Sequence, residues 1–381
     1  MIKTSLILFF IVTIIFSTIY TPQAILPELQ DYFDTSIAQT NLLLFGMLFV
    51  LMLATPMYAP LVRRYEKKKL MLFSIGFLAC SVLVSAWASN FYWLLFSRVL
   101  QGIFIPGITA IMLSYVQEIY PKKHRGLGMG IYMAATGFGA VLGRLLAGWM
   151  TQWYGWREAF GLFAVLLMVA WAVMYIGLPS SKSTSNGRAI DKKMILSYLK
   201  SFKTLSVLLV TMVVFFSFMA VSSFVTYRLA EAPFSLDASA LGNTFLVLLV
   251  AVIVSPLAGK YSDTLGRVKV LFLGIVILLA GIVLSTIGSY ILILLGLGLV
   301  TVGMFSVQAV APTYLGDLVP DDKATAAVLY QTFFYFGGAM GTLLPAVAWN
   351  YGGYDDVALL CFGLVLLGSV PLGYNMILNK K

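Results

Sequence analysis

Two arginines, Arg98 and Arg144, stand inside stretches that are otherwise apolar. A guanidinium carries five N–H donors in a planar fork that matches a carboxylate. An ionised side chain within a membrane span costs roughly 2.5–3.5 kcal/mol on insertion scales, so it faces a cavity or a partner. The chemistry implied is recognition of a small anion rather than bond making. A reaction centre would need paired acids, a nucleophile beside a base, or a metal-ligand cluster. The single His124 is in a loop, and Asp321/Asp322 and Asp355/Asp356 fall on opposite sides of the membrane. Cys80 and Cys361 sit in separate apolar runs without CxxC spacing, so no disulfide is expected. There is no GxxxxGK[ST] loop for a nucleotide, no filter loop or charge ring for a channel, and no cofactor or metal is implied.

A second set of charges lies in loops and recurs. Thr55-Pro56-Met57-Tyr58-Ala59 is followed by Arg63-Arg64-Tyr65-Glu66-Lys67. About 200 residues later, Ser255-Pro256-Leu257-Ala258-Gly259 is followed by Asp263-Thr264-Leu265-Gly266-Arg267, and Glu118 and Pro121 recur as Asp317 and Pro320. In the second copy, Gly259 lets a helix end approach its neighbour and Gly266 permits a tight turn. Asp263 can cap a helix N-terminus and Arg267 can reach Asp317, which together would latch one state. The first copy has Ala59, Arg63 and Glu66 at the matching places, so an acid-based cap is lost. Arg63, Arg64, Lys67 and Lys68 remain, and Glu118 is expected to meet one of these cations.

These residues need helices to hold them. The chain is 60% hydrophobic and only 10% charged, too apolar for a soluble domain of 381 residues. Apolar runs of about 20 residues, enough to cross a ~30 Å core, number twelve. They cover 5–26, 36–62, 70–89, 91–117, 126–150, 157–178, 204–228, 236–260, 268–288, 290–315, 324–349 and 356–378. The expected fold is all-α and integral to the membrane, with two pseudo-symmetric six-helix bundles at 1–178 and 204–381. A Ser- and Lys-rich linker, 179–203, joins them. Apart from Arg98, Arg144, Arg157 and Arg228, all 25 Lys and Arg residues fall on one side of this arrangement, which places both termini in the cytoplasm. The formal charge of +10 is therefore topological bias and implies no nucleic acid. Met1–Gln23 has no small-x-small cleavage site and reads as an uncleaved first helix.

Two repeated membrane halves in one chain is the pattern of a two-bundle secondary transporter, with the substrate path between the halves. Gly259-Lys-Tyr-Ser-Asp263-Thr-Leu-Gly266-Arg267 resembles the signature loop Gly-x-x-x-Asp-x-x-Gly-Arg of the major facilitator superfamily. Arg98-Val-Leu-Gln101-Gly102 resembles the Arg-x-x-Gln-Gly motif of its proton-coupled members, with Arg98 and Gln101 on one helix face. Gly137-Phe-Gly139-Ala-Val-Leu-Gly143-Arg144 stands where family members carry the antiporter motif, although its usual Gly-Pro is absent. With Tyr227-Arg228-Leu229 and Trp156-Arg157, this resembles the YnfM-type branch of the drug:proton antiporter group. The resemblance implies a monomer of the bacterial inner membrane that exports a small molecule against protons. Uptake or exchange of an organic anion is the alternative, and a polytopic membrane enzyme a distant third.

Arg98 and Arg144 sit at similar depths in the outer half, and their repeat counterparts near Gly298 and Leu343 are uncharged, so the fold does not require them. Arg98 is expected to be the main cavity cation and Arg144 a supporting one. Tyr20, Gln23, Gln101, Tyr227, Gln308, Gln331 and Tyr335 are the polar points expected around them, within a lining that includes Phe104, Phe215, Phe305 and Phe334. Gly139 and Gly143 form a GxxxG face expected to pack across the two halves, repeated as Gly337 and Gly341. No Asp or Glu lies mid-span, so the chain must couple through an acid near a mouth, through the substrate's own charge, or not at all.

Overall fold

A computed structural model describes residues 2–121, 124–180, 192–319 and 323–378, all helical apart from short turns. Proline decides where several helices break. Helix α1 (Ile2–Tyr20) passes into a 3-10 segment, Thr21–Ile25, with Pro22 at its start, before α2 (Leu26–Phe33). Pro22 has no N–H, so the carbonyl four residues back, Thr18 O, loses its helical donor. Helix α3 (Ile37–Ala54) opens on a capping box, in which Ser36 Oγ accepts from Gln39 N and Gln39 Oε1 from Ser36 N. It yields at Pro56 to α4 (Tyr58–Arg64). After α5 (Lys67–Ala86), α6 (Phe91–Phe104) stops at Pro106, where α7 (Pro106–Ile119) takes over.

Helices α8 (Arg125–Tyr154) and α9 (Trp156–Gly177) turn at Gly155, whose φ of 104° suits glycine alone. Beyond α10 (Lys192–Lys200) come α11 (Phe202–Ala230) and α12 (Ala238–Thr244), capped by Asp237. The Asp237 carboxyl is held below its usual range by the Ala240 N–H and the Ser239 hydroxyl. A 3-10 segment, Phe245–Leu249, separates α12 from α13 (Val250–Leu265). Then follow α14 (Arg267–Ser285), α15 (Tyr290–Leu318), α16 (Lys323–Leu343) and α17 (Pro345–Leu378).

Eleven of these helical stretches are long and apolar enough to cross a membrane. The twelfth is α16, whose hydropathy is lowered by Tyr330, Gln331, Thr332 and Tyr335 and by Gly337, Gly338 and Gly341. Helix α17 is itself broken, because Gly352 and Gly353 leave helical geometry. Its opening turns extend the α16 span, and 354–378 forms the last one. Twelve spans result, as the apolar runs predict.

By contact density the chain forms two compact units, Met1–Asn186 with Leu229–Leu249, and Gly187–Arg228 with Val250–Lys381. In the first, α1 packs on α8, α3 on α6 and α5 on α9; in the second, α15 receives α13 and α14. Residues 229–249 belong by repeat to the second half but pack on α8, where a Cβ at Gly148 would collide with the backbone of Ala238 and Gly242. The GxxxG faces correct an expectation. Gly139 and Gly143 lie against Thr13 and Ser17 of α1, and Gly337 and Gly341 against Met212 and Phe216 of α11. Each pair closes a contact inside one unit rather than across the halves. Within the linker 179–203, residues 181–191 lie outside the described residues, and α10 occupies much of the remainder.

Candidate functional site

Arg98 and Arg144 are both fully buried, at 0% exposure, and they differ in what they hold. Arg98 Nε donates to Leu43 O at 3.3 Å. Nη1 donates to Thr18 O at 3.1 Å and to Gln101 Oε1. Nη2 donates to Ile19 O at 3.0 Å and to Met47 Sδ at 2.8 Å. Five donors meet five acceptors. Thr18 O is the carbonyl that Pro22 leaves without a donor, so the guanidinium replaces a backbone bond that the bilayer cannot supply. Gln101 is equally committed, its Nε2 donating to Ser85 Oγ at 2.9 Å, and Ser85 and Ser97 share a hydrogen bond at 2.7 Å.

Arg144 is less engaged. Its Nε and Nη2 both donate to the one oxygen Gln23 Oε1, and Nη1 donates to Ala140 O at 2.7 Å in its own helix. One N–H on each terminal nitrogen has no acceptor among the described residues. Its Cζ lies 4.2 Å from the Tyr20 ring centroid and 4.8 Å from that of Phe245. Such cation–π contacts are worth about 2 kcal/mol when desolvated. Gln23 is buried and Tyr20 partly exposed. Of the nine polar and charged residues expected around one cavity, the structure brings Tyr20, Gln23 and Arg144 into contact, and Arg98 with Gln101 separately. Sequence reasoning missed Phe245, which has no local signal beyond its place beside an interrupted span.

Among the described residues no Asp or Glu is buried, and Lys67 is the only other charged side chain that is. Lys67 Nζ lies 2.8 Å from Glu118 Oε2, so the cation that Glu118 meets is Lys67. Arg267 Nε pairs with Asp317 in the second unit. Lys67 with Glu118 and Arg267 with Asp317 are repeat-related, so both halves keep the same ion pair despite divergent loops. Lys68 Nζ donates to Tyr175 O and Leu178 O at the end of α9. Arg64 is exposed and in no ion pair among the described residues, while the Arg63 side chain lies outside them.

The rest of the second loop departs from expectation in two places. Asp263 lies 3.6 Å from Arg267 and is 70% exposed, and α14 begins without a side-chain cap, because a residue inside α13 has Arg267 within easier reach. Gly259 has nothing near its Cβ position, so no close approach requires it there. Gly266, at φ 94°, does make the tight turn. Arg157 and Arg228 act as anchors, the first donating to Ala88 O, the second to Ser285 O and Thr286 O at the end of α14.

In the second unit, Phe215 stacks on Phe334 with centroids 3.8 Å apart, and Tyr335 and Phe218 join them, with Phe305 against Phe218. Tyr227 is buried against Phe224 and Trp349. Gln308, Gln331 and Tyr335 are partly exposed. In the first unit, Phe104 is stacked on Phe77.

Comparison with known proteins gives the family and the fold. A model of the Major Facilitator Superfamily matches residues 8–342 and again 207–378. The chain is 28% identical over 341 residues to the uncharacterized MFS-type transporter YybF of Bacillus subtilis, covering 88% of this chain and 84% of that one. It is 24% identical over 361 residues to the inner membrane transport protein YnfM of Escherichia coli, covering 93% and 87%. Among solved structures, a bacterial homolog of the human lysosomal transporter Spinster, inward-facing and unoccupied, superposes with a TM-score of 0.78 at 15% identity, over 97% of this chain and 95% of that one. With the family model spanning most of its length, the chain belongs to the major facilitator superfamily and is a multi-pass membrane transporter, not an enzyme.

Proposed function

We propose that this protein exports a small organic or amphipathic molecule across the inner membrane by alternating access, in exchange for protons. The observation that supports alternation is the ion pair repeated in both halves, Lys67 with Glu118 and Arg267 with Asp317. Such pairs can hold one state and release in another. A partly exposed pair is worth about 1 kcal/mol or less. Asp317→Asn should therefore change the transport rate by about two- to fivefold while leaving thermal stability nearly unchanged, whereas Glu118→Gln, which leaves the buried Lys67 without its counter-charge, should change the rate and lower the unfolding temperature as well. Asp263→Asn should do less, its carboxylate being mostly in solvent. Wild-type transport in the Glu118→Gln/Asp317→Asn double variant would remove the gating role.

With no Asp or Glu buried among the described residues, a coupling proton would ride on Glu118, on Asp317, on Glu28, Asp31 or Asp34 around the outer end of the first span, or on the substrate itself, and otherwise transport is uncoupled. A second reading, uptake or exchange of an organic anion, is favoured by the fact that both fully buried ions among the described residues are cations. Everted and right-side-out vesicles discriminate between the two when loaded with a panel of labelled amphiphiles and carboxylates. Export predicts accumulation in everted vesicles that collapses on adding a protonophore. Accumulation confined to right-side-out vesicles, and to anions, would replace export with the second reading.

A further inference from the structure

We propose that Arg144 is the anion-binding centre of the transport path and takes the carboxylate of a small monoanion with a flat, apolar body. This rests on the reading of the chain as a carrier of small molecules. Arg144 is fully buried, and no Asp or Glu pairs with it among the described residues. A desolvated cation without a counter-charge is a site for an anion. Its donors say where the anion would sit. Gln23 Oε1 occupies the edge formed by Nε and Nη2, and Ala140 O takes one N–H of Nη1. The donors left over are one on Nη1 and one on Nη2, which suits two oxygens on one carbon.

Arg98 is the internal contrast. With the same burial, all five of its donors are filled, and it has nothing to offer a ligand without breaking a backbone contact. One available cation argues for a single negative charge rather than a dianion. The body of the ligand is specified by the rings of Tyr20 and Phe245 over the guanidinium. Both rings stand next to interrupted helix, the Thr21–Ile25 and Phe245–Leu249 segments. Discontinuous spans are where transporters of this kind expose backbone and bind substrate. Tyr20 is partly exposed, so the guanidinium lies one ring beneath accessible surface.

Benzoate is a suitable probe, with benzamide as its neutral isostere and phthalate as the dianion. Binding to the purified full-length protein is read by the shift in unfolding temperature and by tryptophan fluorescence. Wild type should bind benzoate, more weakly at high salt, and should bind benzamide and phthalate at least tenfold less well. Arg144→Gln should lower benzoate affinity at least tenfold, with Arg144→Lys in between. Phe245→Leu, which leaves every hydrogen bond to Arg144 in place, should also weaken benzoate binding, and it carries the test if the arginine variants fail to fold. Equal affinity for benzoate and benzamide, or unchanged benzoate binding in Arg144→Gln, overturns the proposal. Counterflow of labelled benzoate in proteoliposomes separates the two readings. Arg144-dependent binding without counterflow removes the transport role and leaves the anion site standing, whereas counterflow of other compounds that Arg144→Gln does not alter removes the site and leaves the transporter.

Discussion

Arg98→Ala should unfold much of the protein rather than merely slow it. Thr18 O, already without a helical donor because of Pro22, is left unpaired inside the bilayer, and a buried acceptor without a partner costs about 1–3 kcal/mol, while Leu43 O, inside α3, keeps its helical donor. With the cavity left by the side chain, the total loss is about 3 kcal/mol. The folded yield in membranes and the unfolding temperature of the purified protein should both fall. Turnover per folded molecule should change less. Arg98→Lys should rescue stability in part, since an ammonium brings three donors to a site that uses five. A well-folded Arg98→Ala that specifically loses anion transport would overturn the clamp and restore Arg98 as a cavity cation.

The fold was largely legible because its signals are long. Twelve apolar runs, a register of about 200 residues and the one-sided cations each repeat many times, so local ambiguity averages out. The breaks were legible in part. Pro22, Pro56 and Pro106 all begin a new helical piece, as a residue without an N–H should. What the runs could not reveal was that 245–249 is a 3-10 segment, since nothing in Phe245-Leu-Val-Leu-Leu249 disfavours a helix.

The site was harder, for a physical reason. Whether a buried arginine serves a ligand or the fold depends on acceptors supplied by other helices, and those acceptors are mostly backbone carbonyls, which every sequence has. One clue was available. Pro22 strips Thr18 O of its donor, and a span with such a gap needs a side chain to fill it, so Arg98 had a structural task waiting. By the same accounting Arg144 had none. The ion pair of Glu118 fell to Lys67, the residue that matches Arg267 by repeat, because the repeat preserves geometry even where the loop residues have changed.

Gly143→Leu should be the most damaging substitution among the glycines of the first unit, since it acts on packing and on Arg144 together. A Cβ at position 143 would run into the carbonyl, Cα and C of Ser17, and backbone cannot swing aside as a side chain can. Overpacking of this kind costs about 1–3 kcal/mol. It also forces α1 away from α8, and Gln23, just beyond the end of α1, would lose its hold on Arg144. Gly341→Leu meets the backbone of Phe216 in the same way in the second unit, and should lose similar stability without touching benzoate binding. Gly161→Leu and Gly363→Leu, which have open space at the Cβ position, serve as matched controls for hydrophobicity and helix propensity. The check is the unfolding temperature of all four purified variants, followed by benzoate binding in those that fold. A Gly143→Leu protein as stable as Gly161→Leu would mean that α1 and α8 do not approach as closely as the glycines require. Equal benzoate binding in Gly143→Leu and Gly341→Leu would uncouple the α1–α8 contact from Arg144.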